Sequence, residues 1–207
     1  MVTSMPPPDF LSLLKIPQLR WPKAGDRLFG NNSNTTNNAE ISANADTRHQ
    51  RMTNGYKEAA DLLLARGLEE PPLQSALIYP TVYCYRHYLE LTLKGFITRY
   101  GPSCRVQPPG RVHDLKKLLK SYRVILRACK SNAPNEMDIS VSKCILEFHK
   151  FDERSFVFRY ATDGDNGPYR LPLSAIDLER LRDTMDALEN YFSGMDDYLF
   201  DLFSARP

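Results

Sequence analysis

Nowhere in these 207 residues does an uncharged apolar run approach the length of roughly 18 residues that a bilayer-spanning helix needs, so no membrane segment is expected. The first residues, 1–19, lack the basic opening and small-residue cleavage site of a secretory leader; three consecutive prolines and Asp9 precede a short apolar stretch at 10–14. Export is not expected, and a cytoplasmic location is. Cysteine is scarce as well. Cys84, Cys104, Cys129 and Cys144 stand far apart with no C-x-x-C among them, which predicts reduced thiols packed as small hydrophobes and neither a zinc motif nor a redox pair. The turn Asp163-Gly164-Asp165-Asn166-Gly167-Pro168 has the look of a calcium loop, but its last liganding position falls on Ser174 where a glutamate is required. No metal and no cofactor are expected.

A strong net charge is also missing. The formal balance is +2, with 42% hydrophobic and 25% charged residues and a mean hydropathy of −0.44, the proportions of a globular chain able to bury one core. The balance hides an uneven distribution. From Arg86 to Lys130 eleven basic residues meet only Glu90 and Asp114, whereas from Ser174 onward eight acids meet only Arg180, Arg182 and Arg206. This asymmetry admits two readings: a polyanionic partner, or neutralisation of one helix by another within the fold or across a dimer.

Proline, glycine and asparagine punctuate the first 38 residues, which read as an irregular arm with an Asn-rich mobile loop at 31–38, pinned by Trp21 and Phe29. A helical domain is expected over 39–207. Its first helix is predicted over 39–67, with Gly67 as a stop, and the second starts near Leu73 or, after Pro80, near Thr81, and reaches Tyr100. A third opens at His113-Asp114-Leu115 with an apolar face and a basic exterior that includes Lys117. A fourth covers about 136–148, after the Asn132-Ala133-Pro134-Asn135 break. Alternation of Phe156, Phe158 and Tyr160 predicts a small β-hairpin near 156–172. The last helix is predicted to start at a Ser174 cap. Its apolar positions Leu178, Leu181, Met185, Leu188, Phe192, Met195, Leu199 and Leu202 form a heptad seam, for this bundle or for a second subunit, and Gly194 could bend it. The fold class is thus all-α, a bundle of about five main helices with one hairpin.

On a helical wheel the second helix has two apolar flanks, Tyr85, Leu89, Leu93 and Phe96 against Cys84, Tyr88 and Leu91, with Arg86, Glu90 and Lys94 between them and His87 close by. Such a helix is central to a bundle, and its polar stripe must be paired or hold a ligand. Two readings stand together: a self-paired Arg86–Glu90–Lys94 ladder, and a phosphate site in which Arg86 grips oxygens and Glu90 orients it or a histidine. His113 opens its helix after a flexible loop and reads either as a capping residue or as a general acid–base. Arg159, between Phe158 and Tyr160, reads either as a second phosphate ligand or as a stem packed on aromatics and paired to Asp152 or Asp163.

The stretches Tyr79-Pro80-Thr81-Val82-Tyr83-Cys84-Tyr85-Arg86-His87-Tyr88-Leu89-Glu90-Leu91-Thr92-Leu93-Lys94 and His113-Asp114-Leu115-Lys116-Lys117-Leu118-Leu119, with residues 152–160, resemble the HEPN superfamily, in particular its bacterial branch. The resemblance covers roughly 55–192. It implies an all-α bundle that often forms a homodimer. The family contains metal-independent ribonucleases, toxin–antitoxin and phage-defence components, and noncatalytic RNA-binding members. Its catalytic members carry an arginine, a polar residue and then a histidine at a short fixed spacing. Arg86-His87 matches the start, while the spacing from Arg86 falls on Leu91, Thr92 and Leu93, so the end of the motif is missing and His113, from a neighbouring helix or subunit, is the candidate to fill it. The resemblance therefore implies Arg86, Glu90 and His113 for catalysis and Arg86, His87, Lys94, Lys117 and Arg159 for RNA or a nucleotide phosphate. The other reading is a noncatalytic regulatory or structural protein that works through homodimerisation or a protein partner.

Overall fold

The structure is a computed structural model and describes residues 20–129, 135–165, 167–169 and 171–205. The expected Pro6-Pro7-Pro8 and 10–14 features lie outside these residues, as do Asn132, Ala133 and Pro134 of the expected break. The chain forms two compact units, Met1–Ile41 and Ser42–Pro207.

In the first unit, asparagine side chains do the work that secondary structure does elsewhere. Asn38 accepts from the Asn32 amide at 2.7 Å and donates back to its carbonyl at 2.8 Å, and Asn34 caps a short 3-10 turn, Thr35–Asn37. The tract expected as a mobile loop thus carries its own local hydrogen bonding. Phe29, expected as an anchor, is 90% exposed.

The second unit contains five α-helices: α1 (Ala45–Glu69), α2 (Gln74–Tyr100), α3 (Leu115–Cys129), α4 (Glu136–Phe151) and α5 (Leu178–Ser204). α2 continues directly from the short turn Pro71–Leu73 without a side-chain cap, while the other four starts are each set by a side chain that accepts an otherwise orphaned amide. Asn44 caps α1 through Thr47 at 2.9 Å, so the helix begins later than the expected residue 39. It then runs through Gly67 and ends before Pro71-Pro72, which cannot supply amide donors. Asp114 caps α3 through Lys117 at 3.0 Å, and Asn135 and Asp138 form a capping box at α4. For α5 the cap is Asp177, which takes the Arg180 amide at 3.0 Å, and not the expected Ser174; a carboxylate also suits the positive end of the helix dipole. Pro80 lies within α2, where the Thr81 hydroxyl donates to the Leu77 carbonyl at 2.7 Å.

α2 is the central helix. Tyr85, Leu89, Leu93, Phe96 and Ile97 meet Leu115, Leu118, Tyr122 and Ile125 of α3 and Met185, Leu188 and Phe192 of α5 in one core. Met185, Leu188, Phe192, Met195 and Leu199 are buried there, so the α5 seam serves its own bundle, and α5 continues unbroken through Gly194. Part of the charge asymmetry is resolved internally. Lys57 of α1 is buried and bound by Asp61 (2.8 Å), Asp186 (2.9 Å) and Glu189 (3.1 Å), while Arg99 and the Tyr100 hydroxyl both hold Asp196, at 2.6 Å each. None of the four cysteines forms a disulfide with another described residue, and the Cys104 and Cys129 sulfurs lie 3.7 Å apart. Among the described residues no helix is long and apolar enough to cross a membrane.

The expected hairpin is absent from the described residues, where Thr162 and Pro168 form an isolated bridge. The segment after α4 folds as consecutive turns. Asp152 accepts the Phe156 amide through Oδ1 at 2.8 Å, and the Arg159 and Tyr160 amides both donate to the Phe156 carbonyl at 3.0 Å. A strand would place Phe156, Phe158 and Tyr160 on one face. Here Phe158 is buried and the other two project outward.

Candidate functional site

Arg86, Glu90 and Lys94 follow one another along α2 at single-turn steps, which brings their side chains into register. Two segments close over them: the residues that lead into α3, and the end of α4. The Arg86 guanidinium has 0% exposure. Its Nε donates to the Asp152 carbonyl at 3.0 Å, one Nη to Glu90 Oε2 at 3.0 Å, and the other Nη to the His113 carbonyl at 2.8 Å. Asp152 Oδ2 sits 3.9 Å from Nε, beyond hydrogen-bond reach but close enough to share the charge. The polar stripe, expected to be paired or to hold a ligand, is closed over by protein groups at Arg86. All three nitrogens of this cation are engaged and it has no exposed surface, so the phosphate contact expected of it has no room.

Glu90 Oε1 accepts from Lys94 Nζ at 2.8 Å and faces His113 Nδ1 at 2.8 Å. Burial alone would push the Glu90 carboxyl upward. The hydrogen bonds from Lys94, His113 and Arg86 outweigh it and hold the group below the ordinary glutamate value. Glu90 is therefore ionised at neutral pH and can only accept, so His113 Nδ1 carries the proton. The His113 side chain is 62% exposed, so the rest of its ring is open to solvent.

The depressed Glu90 value fixes a pH dependence. Its contribution to stability is complete above the unfolded-state value of 4.5 and is lost as the pH falls through the lower folded-state value. Urea unfolding midpoints measured from pH 7 to pH 3 are expected to show this component in the parent chain and to lack it in Glu90→Gln. Parallel curves for the two proteins would contradict the assignment.

The remaining expected residues are placed less uniformly. His87 points away from the cluster, with its ring 4.4 Å from Tyr56 and parallel to Tyr83 at 6.0 Å. Burial, and then the charges of Lys94 and Arg86, hold His87 below the ordinary histidine value despite the pull of Glu90, so it stays neutral and is a poor phosphate ligand. Arg159 lies over Tyr83, Phe156 and Tyr160, as the packed-stem reading expected, but without the ion pair to Asp152 or Asp163. Its Nε donates to the Ser155 carbonyl.

Lys117 belongs to a larger feature. At about 100° per residue, Lys116, Lys120, Arg123 and Arg127 fall within about 60° of one another on α3, clear of its buried positions, in a row roughly 16 Å long; Lys117 flanks it. None of the five forms an ion pair with another described residue, although acids of α5 pair with Lys57 and Arg99. Like charges one turn apart oppose one another. His113 stands at the N-terminal head of this helix, where the dipole adds positive potential.

Sequence reasoning missed Asp152, whose carbonyl and carboxylate join the cluster to the following turn, and the outward aromatic rings beside it. It also missed Lys57, although Lys57 and Asp61 on one helix face, with Asp186 and Glu189 on another, were the available signal. His149 Nδ1 lies 3.5 Å from the Asp114 carboxylate, next to His113. Comparison with family models, with curated proteins and with solved structures returns no match.

Proposed function

We propose that this protein binds RNA, with the sugar–phosphate backbone following the α3 cation row toward His113. The observation that carries the reading is the row itself: Lys116, Lys120, Arg123 and Arg127 aligned, exposed or half-exposed, and left without protein counter-charges among the described residues. Such a row gains its counter-charge from a polyanion. The HEPN resemblance of 79–94 and 113–119 leads to the same expectation, since that superfamily includes RNA-binding members.

The His113–Glu90 arrangement supports a further step, metal-independent cleavage. Nε2 would accept the proton of a ribose 2′-hydroxyl, the 2′ oxygen would attack phosphorus, and the departing 5′ oxygen would take a proton from solvent. Glu90 orients the imidazole and stabilises its charged form, while Arg86 fixes Glu90 and the His113 backbone. In this reading His113 is the catalytic residue, and Arg86 and Glu90 position it.

The test is anisotropy titration of a labelled single-stranded RNA at several salt concentrations. The logarithm of affinity is expected to fall linearly with the logarithm of salt, by about 0.7 for each phosphate neutralised. No binding at low salt, or binding indifferent to salt, would overturn the proposal.

A further inference from the structure

Phe156 and Tyr160 are 41% and 56% exposed, in a turn that buries its other ring, Phe158. Tyr83 of α2 stands beside them, half-buried. The Arg159 guanidinium lies 5.1 Å from the Phe156 ring centre, 5.5 Å from that of Tyr160 and 5.6 Å from that of Tyr83. Phe156 and Tyr160 meet edge to face with centroids 5.8 Å apart. Three rings and a planar cation thus form one surface, and the terminal nitrogens of Arg159 carry no ion pair to a described carboxylate.

The backbone beneath is held in place for this surface. Ser155 adopts a left-handed φ of 63°, uncommon for a residue with a side chain, and the Asp152 carboxylate takes the amides of Phe156 at 2.8 Å and Val157 at 3.3 Å. The carbonyl of the same Asp152 grips Arg86. The turn is therefore fixed to the structure that holds His113. Tyr83 and Glu90 are two turns apart on one face of α2, about 10 Å along the axis. The aromatic surface and the imidazole accordingly lie within a short stretch of a single strand.

We infer that Tyr83, Phe156 and Tyr160, with Arg159 laid among them, stack unpaired bases of the RNA whose backbone follows α3. This inference rests on the RNA reading above and narrows it to single-stranded RNA. Every base offers a flat face to an aromatic ring or a guanidinium plane, whereas in a duplex those faces are covered by neighbouring base pairs. The free guanidinium nitrogens suit the phosphate that accompanies such a base. An aromatic site for an apolar peptide would not call for the cation.

The experiment compares binding of a short mixed-sequence single-stranded RNA, and of the same sequence as a duplex, by the parent chain, by F156A/Y160A, by Tyr160→Phe and by Lys120→Gln. The paired alanine variant is expected to bind the single strand at least about tenfold more weakly. Its salt slope should be unchanged because no charge is removed, and so should its melting temperature and its duplex binding. Tyr160→Phe should bind as the parent does. If F156A/Y160A keeps parental single-strand affinity while Lys120→Gln lowers both affinity and slope, the stacking surface is overturned and the RNA reading survives. A parent chain that binds neither RNA overturns both. Equal losses on single strand and duplex, accompanied by a lower melting temperature, would assign the rings a structural role and overturn the inference.

Discussion

Arg86→Ala is expected to unfold with a free energy about 3–5 kcal/mol lower than the parent chain, measured by urea denaturation at neutral pH. Three acceptors lose their donor at once: the Asp152 carbonyl, the His113 carbonyl and Glu90 Oε2. Two of these belong to segments far from α2 in sequence. Glu90 retains Lys94 and His113, but the buried Asp152 carboxylate loses its nearby cation. Arg86→Lys should recover little of the deficit, because an ammonium cannot reproduce the planar fork that reaches three directions. A deficit below about 1 kcal/mol would be that of a single ordinary hydrogen bond and would contradict the positioning role.

The other large effect is expected from the α3 row. Replacing Lys116, Lys120, Arg123 and Arg127 together by glutamine should lower single-stranded RNA affinity about 10²–10³-fold at 0.1 M salt and flatten the salt slope by about 2.8, the sum of four phosphate contacts at 0.7 each. All four side chains lie off the buried arc of α3, which comprises Leu115, Leu118, Leu119, Tyr122, Ile125, Leu126 and Cys129. The melting temperature should therefore hold, or rise as the repulsion within the row is relieved. Unchanged affinity with an unchanged slope would remove α3 from the interface.

Much of this was legible in the chain because helical periodicity is a local property. The two apolar flanks of α2 placed it at the centre, the wheel aligned Arg86, Glu90 and Lys94, and the basic exterior of α3 followed from the same spacing. What periodicity could not carry was closure by remote backbone. Nothing in the sequence near Arg86 shows that carbonyls of His113 and Asp152 will occupy its guanidinium, which turned an expected phosphate ligand into a sealed cation. The hairpin expectation failed for a related reason. Alternating aromatics resemble a strand, but the Asp152 side chain competes for the very amides that a strand partner would need. At α5 two capping residues stood close together, and the carboxylate of Asp177 prevailed over the Ser174 hydroxyl.

The buried Lys57 has a bearing on how the chain assembles. It sits in α1, yet two of its three carboxylates arrive with α5, and its bond to Asp186 spans 129 residues. Until α5 docks, an ammonium on the inner face of α1 has Asp61 alone, and the α2 surface that receives Met185, Leu188 and Phe192 stays uncovered. Loops of that length are costly to close and are rewarded late. A chain cut before α5 would therefore lose two of the three carboxylates around Lys57 and bare the α2 surface that Met185, Leu188 and Phe192 cover.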